Sequence, residues 1–339
     1  MNLKNKLQIL LIVLSLIMQM PVFAQDIHFS QFYASPLSLN PAYTGNYDGD
    51  WRIMDNYRSQ WKAVAEPYKT ISVGFDKPFY IGENKFGAGL FVINDNSGIS
   101  KLTVNKIFLC AAYHKLKPES GLHFGLQAGY VLKSYSKDKL TYPDQYNMDI
   151  GLFDSKLPNT ENLDENVNYF DLNIGGLWTK KFSIFEPEIG ISLFHLTFPK
   201  ESYLSENNKL PMRQCIHGST KIDINEKFFL LPKIMYMGQK NATDFIYGTN
   251  VGYAIPKNTY NAKSLFAGAY FREGFDIRMD ACIFVLGVNF KSLDLGVSYD
   301  VNVSKLRTVS SGKGAFEFSI IYTAGSTKIN KISIPCERY

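Results

Sequence analysis

The sequence predicts an all-β chain. It reads as a transmembrane antiparallel β-barrel of outer-membrane type, with about fourteen strands and an irregular N-terminal segment packed in or under the barrel. Three observations carry this. Apolar and polar residues alternate with period two through most of the chain. The alternating runs are mostly ten residues or longer, nearer to the roughly nine to eleven a tilted strand needs to cross a bilayer than to the five or six of a soluble sandwich. The connections between runs are long at one end and short at the other.

The chain begins with an export signal. Lys4 and Lys6 precede an apolar run from Leu7 to Met20, and Val22-Phe23-Ala24 fits a cleavage site. Residues 1–24 therefore read as a signal peptide; a retained anchor is the alternative, and the run is short for a span. The net charge of +5 falls to +3 once Lys4 and Lys6 are removed. That is too mild for nucleic acid. No later window has the apolar length of a membrane helix. Aromatic and glycine content is high, with 25 Phe, 21 Tyr and 25 Gly.

Residues 25–48 are neither a long helix nor a strand. The stretch Asp26-Ile-His-Phe-Ser-Gln-Phe-Tyr-Ala-Ser-Pro-Leu-Ser-Leu-Asn-Pro-Ala-Tyr-Thr-Gly45 holds Pro36 and Pro41, which offer no backbone donor. Phe29, Phe32, Tyr33, Leu37, Leu39 and Tyr43 make it too apolar for a free linker. It must pack on the barrel interior, on the periplasmic rim or on a partner, and we place it at the periplasmic mouth of a polar lumen.

Residues 49–325 form the barrel. Runs are expected near 50–60, 69–79, 85–94, 101–116, 120–135, 168–181, 183–195, 211–224, 226–238, 243–256, 262–272, 275–290, 292–304 and 313–324. The clearest puts Leu293, Leu295, Val297, Tyr299, Val301 and Val303 opposite Asp294, Gly296, Ser298, Asp300 and Asn302. In the run before it, Phe275, Ile277, Met279, Ala281, Ile283 and Val285 share one face. Asp276, Arg278 and Asp280 open the other, read as a luminal charge network or a docking site for a segment in the lumen. If the first strand rises from the periplasm, every long connection lies on the outer side. The longest, 136–167, carries seven acidic residues against three lysines. Residues 326–339 form a periplasmic tail.

No enzyme is expected. His28, His114, His123, His195 and His217 are separate in sequence, and no zinc pair, Gly-x-Ser-x-Gly or phosphate loop occurs. Gly87-Ala-Gly89 reads as strand, where glycine thins the wall or admits close contact. Cys110, Cys215 and Cys282 lie far apart in strands and Cys336 near the end, so they read as wall residues with no metal framework. No cofactor or metal is called for.

The opening stretch, followed by Arg52 and Tyr57-Arg58-Ser-Gln-Trp61, resembles the signature of the PorP/SprF family of the Bacteroidetes. Leu210-Pro-Met-Arg, Ser298-Tyr-Asp-Val-Asn-Val-Ser-Lys-Leu and Gly314-Ala-Phe-Glu-Phe-Ser-Ile are similar to later family segments. Ile334-Pro-Cys-Glu-Arg-Tyr339 is similar to the family tail, with Glu337 in place of its usual proline. The resemblance implies an outer-membrane barrel of the type IX secretion system, serving export or surface anchoring of large adhesins with type B sorting domains, often in gliding motility. It implies partners in the periplasmic ring and peptidoglycan-binding components, and no catalysis. His28, Phe29, Ser30, Gln31, Phe32, Tyr33, Pro36, Asn40, Pro41, Arg52, Arg58, Gln60 and Trp61 carry over as signature positions, for partner binding or for plugging. A plugged transport pore for a small solute is the alternative.

Overall fold

The computed structural model describes residues 26–326, apart from 63–65, 99–100, 137–139, 149, 155, 158–165, 204–207, 257–261, 275–277 and 306. The expected signal peptide, most of the C-terminal tail with Cys336, and Asp276 lie outside the described residues, as does the side chain of Arg278.

Sixteen strands are present among the described residues: β1 Arg52–Gln60, β2 Tyr68–Ile81, β3 Asn84–Ser97, β4 Leu102–Lys117, β5 Ser120–Ser134, β6 Tyr146–Asn147, β7 Leu152–Phe153, β8 Asn166–Lys180, β9 Phe185–Phe194, β10 Arg213–Asp223, β11 Phe228–Gln239, β12 Ala242–Ala254, β13 Ala262–Gly274, β14 Arg278–Phe290, β15 Leu293–Asn302 and β16 Lys313–Thr323. The pair β6–β7 is a small hairpin within the longest loop. The other fourteen close into a barrel of consecutive antiparallel neighbours. Closure joins β1 to β16, from Arg52 opposite Thr323 to Gln60 opposite Ala315. A closed barrel satisfies every strand edge, as a lipid setting demands.

The period-two pattern sorts the side chains as expected. Ile71, Val73 and Phe75 lie exposed on the outer wall, while Thr70, Ser72 and Asp76 are buried in the lumen. Ser298, Asp300 and Asn302 point inward, as do Glu317 and Ser319. The strand β14 departs from the reading. A register shift between Arg272 and Glu273 inserts a bulge at Asp280 and reverses the phase beyond it. Ala281, Ile283 and Val285 therefore face the lumen and are buried, while Met279, Phe284 and Leu286 are exposed on the outer wall.

The core of the molecule is the interior of the barrel. Residues 26–50 fill it as a chain of short turns: a 3-10 turn at Phe32–Ala34, a helical turn at Pro36–Leu39 and a 3-10 turn at Pro41–Tyr43. The turns at Pro36 and Pro41 each begin on a proline, where the missing donor costs nothing. Phe32 and Leu39 pack with Met235, Met237, Ile246, Tyr270, Ile283 and Val285 on one side. Leu37 packs with Met54, Phe91, Val104, Phe108 and Val131 on the other.

Candidate functional site

The segment descends the whole lumen rather than resting at its periplasmic mouth. Asp26 lies near the long-loop end, beside Lys106, His195 and Arg213. Gly45 lies near the short-turn end, beside Asp76. This corrects the periplasmic placement: only the last residues reach that rim. The turns carry no period-two or period-3.6 signal, so the sequence offers no measure of their depth.

Three charged clamps hold the segment. At its start, the Asp26 carboxylate meets Lys106 at 2.5 Å, Arg213 at 3.0 Å and His195 at 3.1 Å. His195 is backed by Asp171 at 2.7 Å. Burial pushes the Asp26 pKa up, but the charges of Lys106 and Arg213 outweigh it and hold the carboxyl well below its usual range.

The second clamp lies across the closing seam. Glu317 on β16 accepts the backbone N–H of Ser30 at 2.7 Å and of Gln31 at 2.8 Å. Its register partner Arg58 on β1 donates to it directly. Arg58 and Arg272 also reach Asp300, at 3.3 Å and 2.9 Å, and the Ser30 hydroxyl donates to Asp300 at 2.7 Å. Asp280 joins from its bulge through Arg272 at 2.9 Å. Two guanidinium groups thus face two buried carboxylates and a half-buried third, with Ser30 in the middle. His28 lies 3.1 Å from Asp244. Burial first, then the charges of Arg272 and Arg58, lower its pKa and keep the imidazole neutral at pH 7.

The third clamp is at the lower end. Arg52 grips Asp76 with two parallel bonds, Nε at 3.0 Å and Nη2 at 2.7 Å. The same carboxylate accepts the Gly45 N–H at 2.7 Å, and Arg52 donates to the Tyr43 carbonyl at 3.2 Å. A planar fork suits this bidentate task, which lysine cannot perform.

Between the clamps the contacts are close and polar. The Asn40 side chain accepts from Ala42 N–H and donates to the carbonyls of Gly176 and Ile191. Gln127 donates to the Leu37 carbonyl and Ser192 to the Leu39 carbonyl. The wall thins to receive the chain: a Cβ on Gly125 would lie 2.1 Å from the Pro41 carbonyl carbon, and one on Gly87 2.0 Å from the Thr44 oxygen. Two small voids flank the segment, each with room for about one water.

Of the signature positions, residues 28–33, Pro36, Asn40, Pro41, Arg52 and Arg58 all belong to this packing. Gln60 touches it only through Arg58, at 3.1 Å. Trp61 stands apart at the upper rim, edge-on to Tyr68. Asp26, Asp76, Glu317, Asp300, Arg272 and Arg213 carry no sequence signal that marks them as partners. Their wall positions follow from alternation, but their pairing spans up to 287 residues of sequence. One pair was recoverable. His114 and His123 face each other with their Nδ1 atoms 2.9 Å apart. The tight turn that sets Lys117 opposite Ser120 fixes them as register partners.

Fold and filling define a class: a closed membrane barrel of outer-membrane type whose lumen is occupied by its own N-terminal segment. The family model for the type IX secretion system membrane protein PorP/SprF matches residues 22–322. The chain belongs to that family, and an outer-membrane location follows from family and fold together. Among curated proteins, none matches the sequence. Solved structures with a similar course include the CymD monoaromatic hydrocarbon channel, at 11% identity and TM-score 0.49, covering 87% of this chain and 94% of that one. The P. putida toluene transporter TodX is 11% identical at TM-score 0.45, covering 86% and 93%. BamA from Haemophilus ducreyi, lacking POTRA domains 1-3, is 10% identical at TM-score 0.42, covering 81% and 70%.

Proposed function

We propose that the chain is a non-enzymatic binding component of the type IX secretion system. Its outer loops hold the type B sorting domain of a large exported adhesin during export or at the cell surface, as gliding requires. Its periplasmic rim contacts the ring and peptidoglycan-binding components. The observation that supports this reading is the filled lumen: residues 26–50 occupy it from end to end, clamped by ion pairs at three levels. A barrel so filled serves as an anchor, with residues 28–33, Pro36, Asn40 and Pro41 as its filling and Arg52 and Arg58 as clamps on the wall. The outer loops offer surface; the tip of the β6–β7 hairpin exposes Tyr146, Met148, Ile150, Leu152 and Phe153.

The test has two arms. A deletion strain should fail to display type B substrates, and display of every such substrate would overturn the reading. The purified protein should carry no steady current in planar bilayers. A large steady current would favour the plugged transport pore instead.

A further inference from the structure

The strand β1 runs between two aromatic markers. Trp51 packs with Phe75 and Tyr322 at the lower rim. Trp61 packs on Tyr68 at the upper rim. Aromatic girdles mark the two interfaces of a membrane barrel. Ten residues of a tilted strand cover about 25 Å along the normal, which matches the apolar band between girdles. Asp55 lies four residues above Trp51 and six below Trp61, near the middle of that band.

Its side chain points outward. Met54 and Asn56 on either side are buried in the lumen, and Asp55 shares the outer face with Ile53 and Tyr57. Its register partners are Val73 on β2 and Ile320 on β16. Val73 is 45% exposed, as a lipid-facing residue should be. The adjoining Asn56 backbone amide faces the carboxylate, and both cross-strand partners are apolar. Its Oδ1 is shut off by the wall and has no hydrogen-bond partner among the described residues.

An acid at this depth, facing hydrocarbon, is costly, and intramembrane ionisable residues pair with a partner group. The acyl region of a bilayer supplies none. A second copy of this chain, related by a two-fold axis through this wall, would set Asp55 against its own counterpart, like charge on like. We propose that the wall formed by β16, β1 and β2 is a lateral docking face for a different outer-membrane polypeptide, whose membrane-embedded segment presents a lysine or arginine to Asp55. This surface is distinct from the lumen and the outer loops, and it stands whether or not those loops hold an adhesin.

The experiment places a photo-crosslinking phenylalanine at Tyr57, at Phe318, or at Ile216 on the opposite wall, in the full-length protein in its native outer membrane. The expected result is one discrete adduct from Tyr57 and Phe318, and none from Ile216. The captured chain should be an integral membrane protein with a basic residue inside its spanning segment. Asp55→Leu should reduce the adduct at least tenfold, and Asp55→Glu should restore it. Heat-modifiable migration on gels should show Asp55→Leu folded as well as the parent, since it removes a charge from an apolar wall. Adducts with lipid alone, with a second copy of this chain, or with a partner lacking a basic membrane residue would overturn the proposal. So would an adduct that Asp55→Leu leaves undiminished.

Discussion

Glu317→Ala tests the seam clamp most directly. Glu317 is 2% exposed, and it receives two backbone N–H groups whose residues are each 1% exposed. A hydrogen bond to a charged group is worth about 1.5–3 kcal/mol, and a buried donor left unpaired costs about 1–3 kcal/mol. The substitution orphans the Ser30 and Gln31 amides together and leaves Arg58 with Asp300 as its one carboxylate, beside Gln60 and the Ser30 hydroxyl. These losses overlap, so we expect about 3–5 kcal/mol at the upper half of the segment, in the range for breaking a buried ion pair. At about 1.4 kcal/mol per decade this is roughly two to three and a half orders of magnitude in the local opening equilibrium. Hydrogen exchange read by mass spectrometry on a peptide covering 27–33 would show it, as exchange about 100- to 4000-fold faster than in the parent. The region around Gly45, held by Asp76, should change far less. Undiminished protection of Ser30 and Gln31 would refute the reasoning.

Other perturbations probe the remaining contacts. Gly125→Ala drives a methyl group into the Pro41 backbone and should cost about 1–3 kcal/mol of thermal or denaturant stability, as overpacking does; Gly218→Ala, where the nearest atoms lie at 3.5 Å, should be close to neutral. Arg52→Lys keeps the charge but loses the bidentate grip on Asp76, and should loosen the Gly45 amide by about tenfold in exchange while Ser30 stays protected. Acid should loosen the upper segment through His28. Its folded pKa lies below its ordinary 6.5, so the unfolded state binds the extra proton and stability falls as pH drops below 6.5. The measurement is exchange of residues 27–33 between pH 7 and pH 5, and His28→Gln should flatten the slope. Asp26 behaves oppositely in range: its depressed pKa means its contribution is present above 3.8 and is lost only as pH falls well below that. Asp26→Asn should therefore weaken the segment at pH 7 and pH 5 alike.

The barrel was legible because a membrane wall imposes one rule on every strand. Lipid wants apolar side chains and the lumen accepts polar ones, so alternation reports both face and extent. Strand β15 is the clearest case: its Asp294–Asn302 face turns inward as read. The rule failed at β14 because a single bulged residue, Asp280, shifts the phase without altering composition. Of the three charges read as one luminal face, Asp280 reaches the network through Arg272; Asp276 and the side chain of Arg278 lie outside the described residues. The filling segment was legible as something that must pack, from its prolines and aromatics, but not as something that traverses. Its partners are single residues drawn from many strands. Nothing local in sequence announces that Glu317 will meet Ser30, or Arg213 meet Asp26. The hairpin register, by contrast, is local, and it would have paired His114 with His123 by counting outward from the turn.

The filling and the wall are one continuous chain, joined at the lower rim. Six residues separate Gly45 from Arg52, a leash of about 24 Å at full extension. If the lumen were ever vacated, the freed segment could not drift away. It would hang beneath the barrel on the periplasmic side, at fixed address and at high local concentration, ready to thread back. Tension applied from below would draw it out tail first, breaking the Asp76 clamp before the seam clamp and the Asp26 clamp last. Tension from outside would break the clamps in the opposite order, the Asp26 clamp first and the Asp76 clamp last. The order in which the clamps open thus tells from which side of the membrane the cork is drawn.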